Sequence, residues 1–112
     1  MLVVPYVLVG PTQLTNASAT IFTTPTNGRY VITRAVFTNV AVTSQTLTVN
    51  IGRAGAAAAS TNLIISAYTI SAGEIYVAPG LVGLVLNATD KVYANSDVIS
   101  AINVVISGFA TQ

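Results

Sequence analysis

Apolar and polar positions alternate most regularly in residues 45–53. Over six of these residues the order is Thr46, Leu47, Thr48, Val49, Asn50 and Ile51. A period of two places the apolar side chains on one face of an extended strand and the polar side chains on the other. A helical period would not separate the two sets in this way. This segment therefore predicts a β-strand with one buried face.

Similar extended runs, separated by turn residues, follow one another through the rest of the chain. The predicted runs are residues 19–24, 29–42, 63–70, 74–78, 81–86, 91–94 and 98–110. Pro-Gly and Asn-Gly pairs mark turns, because both adopt turn geometries that most residues disfavour. No helical period of 10–15 residues lies between the runs. About eight short strands with turns every 8–12 residues predict an all-β fold, namely a single-domain antiparallel β-sandwich that is jelly-roll-like.

Two segments leave their local structure open. In residues 29–42 the alternation is imperfect, so either both faces are partly buried or a β-bulge shifts the pattern. Thr43 and Ser44 then turn the chain, and we expect residues 29–42 to form an antiparallel hairpin with the strand at 45–51. Residues 53–62 are rich in alanine and lack a period, which fits either a mobile loop or a single helical turn.

The N-terminal residues are apolar but interrupted. Pro5 cannot donate to a sheet hydrogen bond, so we expect residues 1–18 to form an arm or edge strand followed by a loop. Residues 19–112 then form the β-sandwich domain. Exposing the apolar arm to water would be unfavourable, so it should lie on its own sandwich or on a neighbouring molecule. The segment lacks the basic start of a signal peptide.

Charge is scarce in this chain. Four Lys and Arg and three Asp and Glu make up 6% of its 112 residues, and the mean hydropathy is +0.73. An ordinary domain is about 25% charged. Large exposed apolar patches usually mark interfaces, so we expect a homo-oligomer or a subunit of a larger assembly. The candidate interface residues are Leu2, Val4, Tyr6, Leu8, Arg34, Arg53 and Ala57. Arg34, placed mid-strand, is either an inter-subunit or buried charge contact or an ordinary outward residue.

Few residues offer catalytic or ligand chemistry. The chain has no Cys and no His, which removes the commonest metal ligands. Glu74, Asp90 and Asp97 each lie beside a predicted turn, where capping and solubility are favoured over a glycosidase pair or a Ca²⁺ site. The tyrosines could stack sugars or bases, but packing of their rings is favoured. We expect no enzyme, no cofactor, no metal, no nucleic-acid partner and no membrane span.

Several short segments together resemble small β-sandwich structural proteins from the virions of tailed bacteriophages. The segments are residues 36–40 with 47–49, 70–74 with 81–82 and 86–90, and 101–109. They include an Ala72-Gly73-Glu74 turn and a closing strand that ends in Ser107-Gly108-Phe109. Thr89-Asp90 departs from the Gly-Asp pair of similar chains. The resemblance covers residues 30–110.

This resemblance implies a non-enzymatic role on the virus particle. The expected function is that of a capsid decoration, or cement, protein that stabilises the phage head from the capsid surface. Its expected partners are itself, as a homo-oligomer and specifically a trimer, and the major capsid protein or another virion protein. Residues 1–10 and 53–62 would then make contacts outside the subunit. The alternatives are a head–tail connector, neck or tail accessory protein, and a carbohydrate- or receptor-binding module of a tail fibre.

Overall fold

A computed structural model describes residues 3–111, with side chains described for residues 4–110. The strands are β1 (Val3–Gln13), β2 (Ala19–Thr23), β3 (Arg29–Asn39), β4 (Gln45–Gly52), β5 (Leu63–Ile70), β6 (Ile75–Val77), β7 (Val85–Leu86), β8 (Lys91–Ser96) and β9 (Ile102–Thr111). Single 3₁₀ turns occur at Arg53–Gly55, Ser60–Asn62 and Pro79–Leu81. No α-helix occurs among the described residues.

The strands form two antiparallel sheets. One sheet has five strands in the order β1-β9-β3-β6, with β7 also paired to β3. The other has four strands in the order β2-β8-β4-β5. Because β6 and β7 both pair with β3, they act as one interrupted edge strand, and each sheet then has four strand positions. The predicted single-domain β-sandwich of jelly-roll type is confirmed, with nine strands in place of about eight.

The core lies between the two sheets and is made of aliphatic residues and one phenylalanine. In β4, Leu47, Val49 and Ile51 are all buried, as their alternation predicts. From the five-stranded sheet, Phe37 and Ile106 face them, each with almost no exposed surface. Burying a side chain of this size contributes about 1.5–3 kcal/mol relative to leaving it in water, so this layer stabilises the sandwich.

A β-bulge explains the imperfect alternation of β3. The register against β9 shifts between Ile32 and Arg34, so that one extra residue is inserted in β3. Before the bulge the buried residues are even-numbered, as at Ile32, and after it they are odd-numbered, as at Ala35 and Phe37. Of the two interpretations of this segment, the bulge is therefore the one that the structure adopts.

The predicted hairpin between β3 and β4 is wrong, because the two strands lie in different sheets. Asn39 ends β3 and is fully buried. Its side-chain amide donates hydrogen bonds to the carbonyl oxygens of Thr43 (3.0 Å) and Ile70 (2.9 Å), and its Oδ1 accepts one from the N–H of Ala41 (2.9 Å). These bonds satisfy the backbone of the crossing segment, which lets the chain pass from one sheet to the other.

Residues 53–62 connect β4 to β5 and contain two of the 3₁₀ turns rather than one helical turn. The side-chain amide of Asn50 donates to the carbonyl of Ala59 and to Oδ1 of Asn62, both at 2.9 Å. The hydroxyl of Tyr93 donates to the carbonyl of Ala56 at 2.9 Å. The loop is thus attached to the four-stranded sheet at several points along its length.

Candidate protein-binding surface

The outer face of the five-stranded sheet combines apolar residues from every strand with a smaller polar set in β3 and β9, namely Thr33, Arg34, Thr38, Asn103 and Ser107. The outward apolar residues, contributed by every strand of this sheet, are Pro5, Val7, Val31, Val36, Ile75, Val77, Val85, Val105 and Phe109. Val7 and Ile75 are more than 60% exposed. We call this surface the apolar face. From strand spacing and rise the whole outer face of this sheet, its polar residues included, covers about 600 Å². The largest apolar patch of a typical monomer measures about 300–600 Å².

The strand register joins these residues into two rows that cross the sheet. One row contains Pro5, Phe109, Val31 and Val85. The other contains Val105, Val36 and Val77. Directly opposed residues on one face of a sheet are in contact range, so each row is a continuous apolar strip.

Arg34 lies between the two rows. The bulge in β3 places both Thr33 and Arg34 opposite Ser107, and both are exposed. The hydroxyl of Thr33 donates to the carbonyl of Ser107 at 3.3 Å. Arg34 makes no ion pair with any carboxylate in residues 3–111. A guanidinium surrounded by apolar side chains is suited to pair with a carboxylate supplied by another molecule.

The outer face of the four-stranded sheet has the opposite character. Its exposed or half-exposed outward residues are mostly polar, namely Thr20, Thr23, Thr46, Thr48, Thr69, Lys91, Tyr93 and Asn95, with Leu63 as an exposed apolar member. Asn50 points to the same side but is buried by its hydrogen bonds to the loop at residues 53–62. We call this surface the polar face. Hydroxyl and amide groups of this kind remain hydrated without cost, which is usual for the solvent side of an antiparallel sheet. The two outer faces of this sandwich are therefore built for different surroundings.

The N-terminal interface candidates fall on β1, which is an edge strand paired with β9. Leu2 lies outside the described residues. Val4 and Tyr6 lie opposite the buried residues Ala110 and Gly108, and Leu8 is buried in the chain's own core. Tyr6 remains 45% exposed, and the residues of β1 on the outer face of the sheet are Pro5 and Val7. Residues 6–9 are all apolar, so sequence alternation alone could not separate the inner from the outer residues.

Arg53 interacts within its own chain. Its guanidinium lies 2.5 Å from Oδ2 of Asp90 and donates to the carbonyl of Val85 at 2.6 Å. The Asp90 carboxylate also accepts hydrogen bonds from the N–H groups of Ala54 (2.9 Å) and Asn87 (2.8 Å). Nothing in the spacing of Arg53 and Asp90 along the chain indicated this pair. Ala57 is exposed in the adjoining loop.

Asp90 is 97% buried, so its protonation state depends on these contacts. Burial alone would raise the pKa of this carboxyl. The hydrogen bonds from Ala54, Arg53 and Asn87, together with the positive charge of Arg53, outweigh burial and hold the pKa of Asp90 below its ordinary value. The ionised carboxylate thereby connects the loop after β4 to the turn before β8.

The tyrosines mostly pack against other rings. Tyr30 lies edge-on to Phe22 and 5.2 Å from the ring of Tyr6, and burial next to Tyr6 raises the pKa of the Tyr30 hydroxyl. Tyr68 and Tyr76 stack at 4.1 Å where β5 and β6 face each other, and burial, with Tyr68 nearby, raises the pKa of Tyr76. These rings close the two open edges of the sandwich.

Neither metal-binding clusters nor membrane-spanning helices occur in the part of the chain that the structure describes. Within residues 3–111, no three His, Cys, Asp or Glu residues come together as a potential metal site. No helix in this range is long and apolar enough to cross a bilayer. The apolar face with Arg34 is the feature of these residues that most requires an explanation from function.

The strand order and the sheet packing define this chain as a jelly-roll β-sandwich, and solved structures with the same fold come from virus particles. The chain matches a chain of the T13 viral particle of infectious bursal disease virus with a TM-score of 0.60 and 13% identity. It matches a chain from the Gx strain of the same virus with a TM-score of 0.51 and 12% identity. The matches cover 96% and 94% of this chain.

The two matched viral chains are much longer than this one. This chain spans 30% of the T13 chain and 32% of the Gx chain. At these identities the likeness establishes the shared fold. No protein family model matches the sequence. No curated protein matches it either.

Proposed function

We propose that this protein is a non-enzymatic structural component of a virus particle. Within that role, we propose a capsid decoration protein that lies on the capsid surface and stabilises the head as a trimer bound to the major capsid protein. The observation that carries the proposal is the apolar face, an extended hydrophobic surface on the outside of a fold that also occurs in the particle of infectious bursal disease virus.

A decoration protein needs surfaces that bury against like and unlike neighbours. The outer face of the five-stranded sheet has about the size of one side of a standard protein interface, which buries about 800 Å² per partner. The polar face, by contrast, is suited to the outside of a particle, where it would remain hydrated. The exposed loop at residues 53–62 and the start of β1 lie at the same end of the sandwich and offer further contact regions.

Particles purified from the biological source of this gene provide the test. An antibody raised against the protein, followed by electron microscopy with gold labelling, should mark many positions spread over the shell. Label confined to one vertex would instead indicate a connector or neck protein, and label on fibres would indicate a receptor-binding module. Absence of the protein from purified particles would refute the virion role.

A further inference from the structure

Apart from Arg34, which lies in the middle of the apolar face, the exposed charges of the described residues are separated along the long axis of the sandwich. Six connections cross between the sheets, and the four that follow β1, β3, β5 and β8 lie at one end of a body that measures 45 × 26 × 19 Å. Glu74 and Asp97, the two exposed acids of the described residues, both lie in connections at this end. Arg29, Arg53 and Lys91 lie at the opposite end, where Arg53 pairs with Asp90.

The acidic end also exposes aliphatic side chains. Val42 is 95% exposed, Ile99 is 60% exposed, and Val40 and Val98 are about half exposed. The connections that carry them are joined, because the N–H of Val40 donates to the carbonyl of Ala101 at 2.9 Å. We call the surface formed by residues 40–42 and 97–99 the valine tip.

Asp97 is held in place within the valine tip. Its Oδ1 accepts a hydrogen bond from the N–H of Thr46 at 3.0 Å, which leaves Oδ2 available for a second partner. The hydroxyl of Ser96 donates to the carbonyl of Val98 and so fixes the turn that follows β8. The valine tip thus presents a positioned carboxylate among exposed aliphatic groups.

We propose that the valine tip of one copy docks on the apolar face of a second copy, with Asp97 paired to Arg34. The two surfaces are complementary: each is apolar, one holds a carboxylate, and the other holds a guanidinium without a carboxylate partner in residues 3–111. Contact between two apolar faces would instead place Arg34 of one copy close to Arg34 of the other, and like charges in an interface are unfavourable.

The dimensions of the two surfaces also agree. The end of the sandwich has a cross-section of 26 × 19 Å, which fits within the roughly 600 Å² of the outer face of the five-stranded sheet. A contact between two different surfaces is heterologous, so it repeats from copy to copy and closes into a ring when the rotation permits. The trimer of the proposed function would be such a ring. The inference deepens that proposal, although self-association can be measured without any virus particle.

Sedimentation velocity of the purified full chain over a wide concentration range tests the contact. The wild type should form a discrete oligomer. Arg34→Gln and Asp97→Asn should each weaken association about tenfold or more, and the double variant should be little worse than either one, because both remove the same pair. Asn at position 97 can still accept the Thr46 hydrogen bond, so folding should be kept. Lys91→Gln removes a cation from the polar face and should leave association unchanged.

Val42→Lys offers a second variant with little risk of misfolding, because this side chain makes almost no contact within its own chain. It should weaken association by at least the same factor, since it brings a second cation towards Arg34. A wild type that stays monomeric at every concentration would overturn the contact. So would an oligomer insensitive to Arg34→Gln, or one that responds to Arg34→Gln but not to Asp97→Asn.

The outcomes for the contact and for the virion role can be separated. An oligomer with these sensitivities, made by a protein absent from purified particles, would support the contact and refute the virion role. A protein found on particles whose oligomer ignores all three substitutions would refute the contact and support the role.

Discussion

The two outer faces of this sandwich differ although both lie outside the core. The polar face has threonine, asparagine, tyrosine and lysine at most outward positions, while the apolar face surrounds Arg34, Thr33 and Ser107 with valine, isoleucine, proline and phenylalanine. Folding requires each sheet to bury one face, and the two sheets already do so by packing their inner faces against each other. The apolar character of the second face therefore has no explanation within a single chain. This difference supports the proposal that the sequence meets two requirements, a core for folding and a surface for association.

The largest expected effect is on the free energy of unfolding, and it should differ between the inner and the outer side of the five-stranded sheet. Phe37 is fully buried, whereas Phe109 is 38% exposed on the apolar face. Phe37→Ala should lower the free energy of unfolding by about 3–5 kcal/mol, because it leaves a cavity in the core. Phe109→Ala should lower it by less than about 1 kcal/mol in dilute monomer. Chemical denaturation measures both, and equal losses would mean that the apolar face contributes to folding.

A charge placed on each outer face should separate the two faces by their effect on association. Val105→Lys inserts a cation at the β9 end of an apolar row, and we expect association to weaken about 100-fold, or about 3 kcal/mol, because the charge would be buried without a partner. Thr20→Lys makes the matched change on the polar face and should alter association less than twofold. Sedimentation equilibrium provides both constants. Similar weakening by both variants would remove the distinction between the faces.

A substitution of Asp90 tests the junction between the loop after β4 and the turn before β8, which belongs to neither outer face. Asp90→Asn should lower the free energy of unfolding by about 1–2 kcal/mol at neutral pH, because the ion pair to Arg53 and one charged acceptor are lost. Association should not change. The substitution is isosteric, so it keeps the shape of the side chain while removing its charge.

The stability difference between wild type and Asp90→Asn should depend on pH with a defined sign. The folded-state pKa of Asp90 is lowered, so its stabilisation is complete above the ordinary pKa of about 4 and is lost as the pH falls through the lower folded value. The stability gap between wild type and Asp90→Asn should thus be constant from about pH 5 to 8 and shrink below about pH 4. A gap that widened in acid would contradict the contacts assigned to Asp90.

Much of the fold could be predicted because several strands, β4 above all, alternate regularly between apolar and polar residues. The inward set Leu47, Val49 and Ile51 follows from the sequence, and so does the all-β class. The placement of β3 and β4 in different sheets could not be predicted, since a buried Asn39 looks like any turn asparagine until its three hydrogen bonds are known. Local patterns report which side of a strand is apolar, but they do not report which strands pair.

The candidate surface could be predicted in kind but not in position. Low charge and high hydropathy indicate a covered exterior, and Arg34 on its mid-strand position belongs to the apolar face. The residues around it come from strands distant in sequence, such as Phe109 and Val85, and only the sheet register brings them together. Arg53 is an interface candidate, yet it pairs within its own chain with Asp90, which is 37 residues away in the sequence.

Thiol labelling tests the central claim, that other protein covers the apolar face, most directly. The chain has no cysteine, so single substitutions Val105→Cys and Thr20→Cys would report on one face each. Above the association midpoint, Val105→Cys should react with a soluble maleimide at least about tenfold more slowly than in dilute monomer, while Thr20→Cys should react at the same rate in both states. Equal reactivity of Val105→Cys in the two states would contradict the claim.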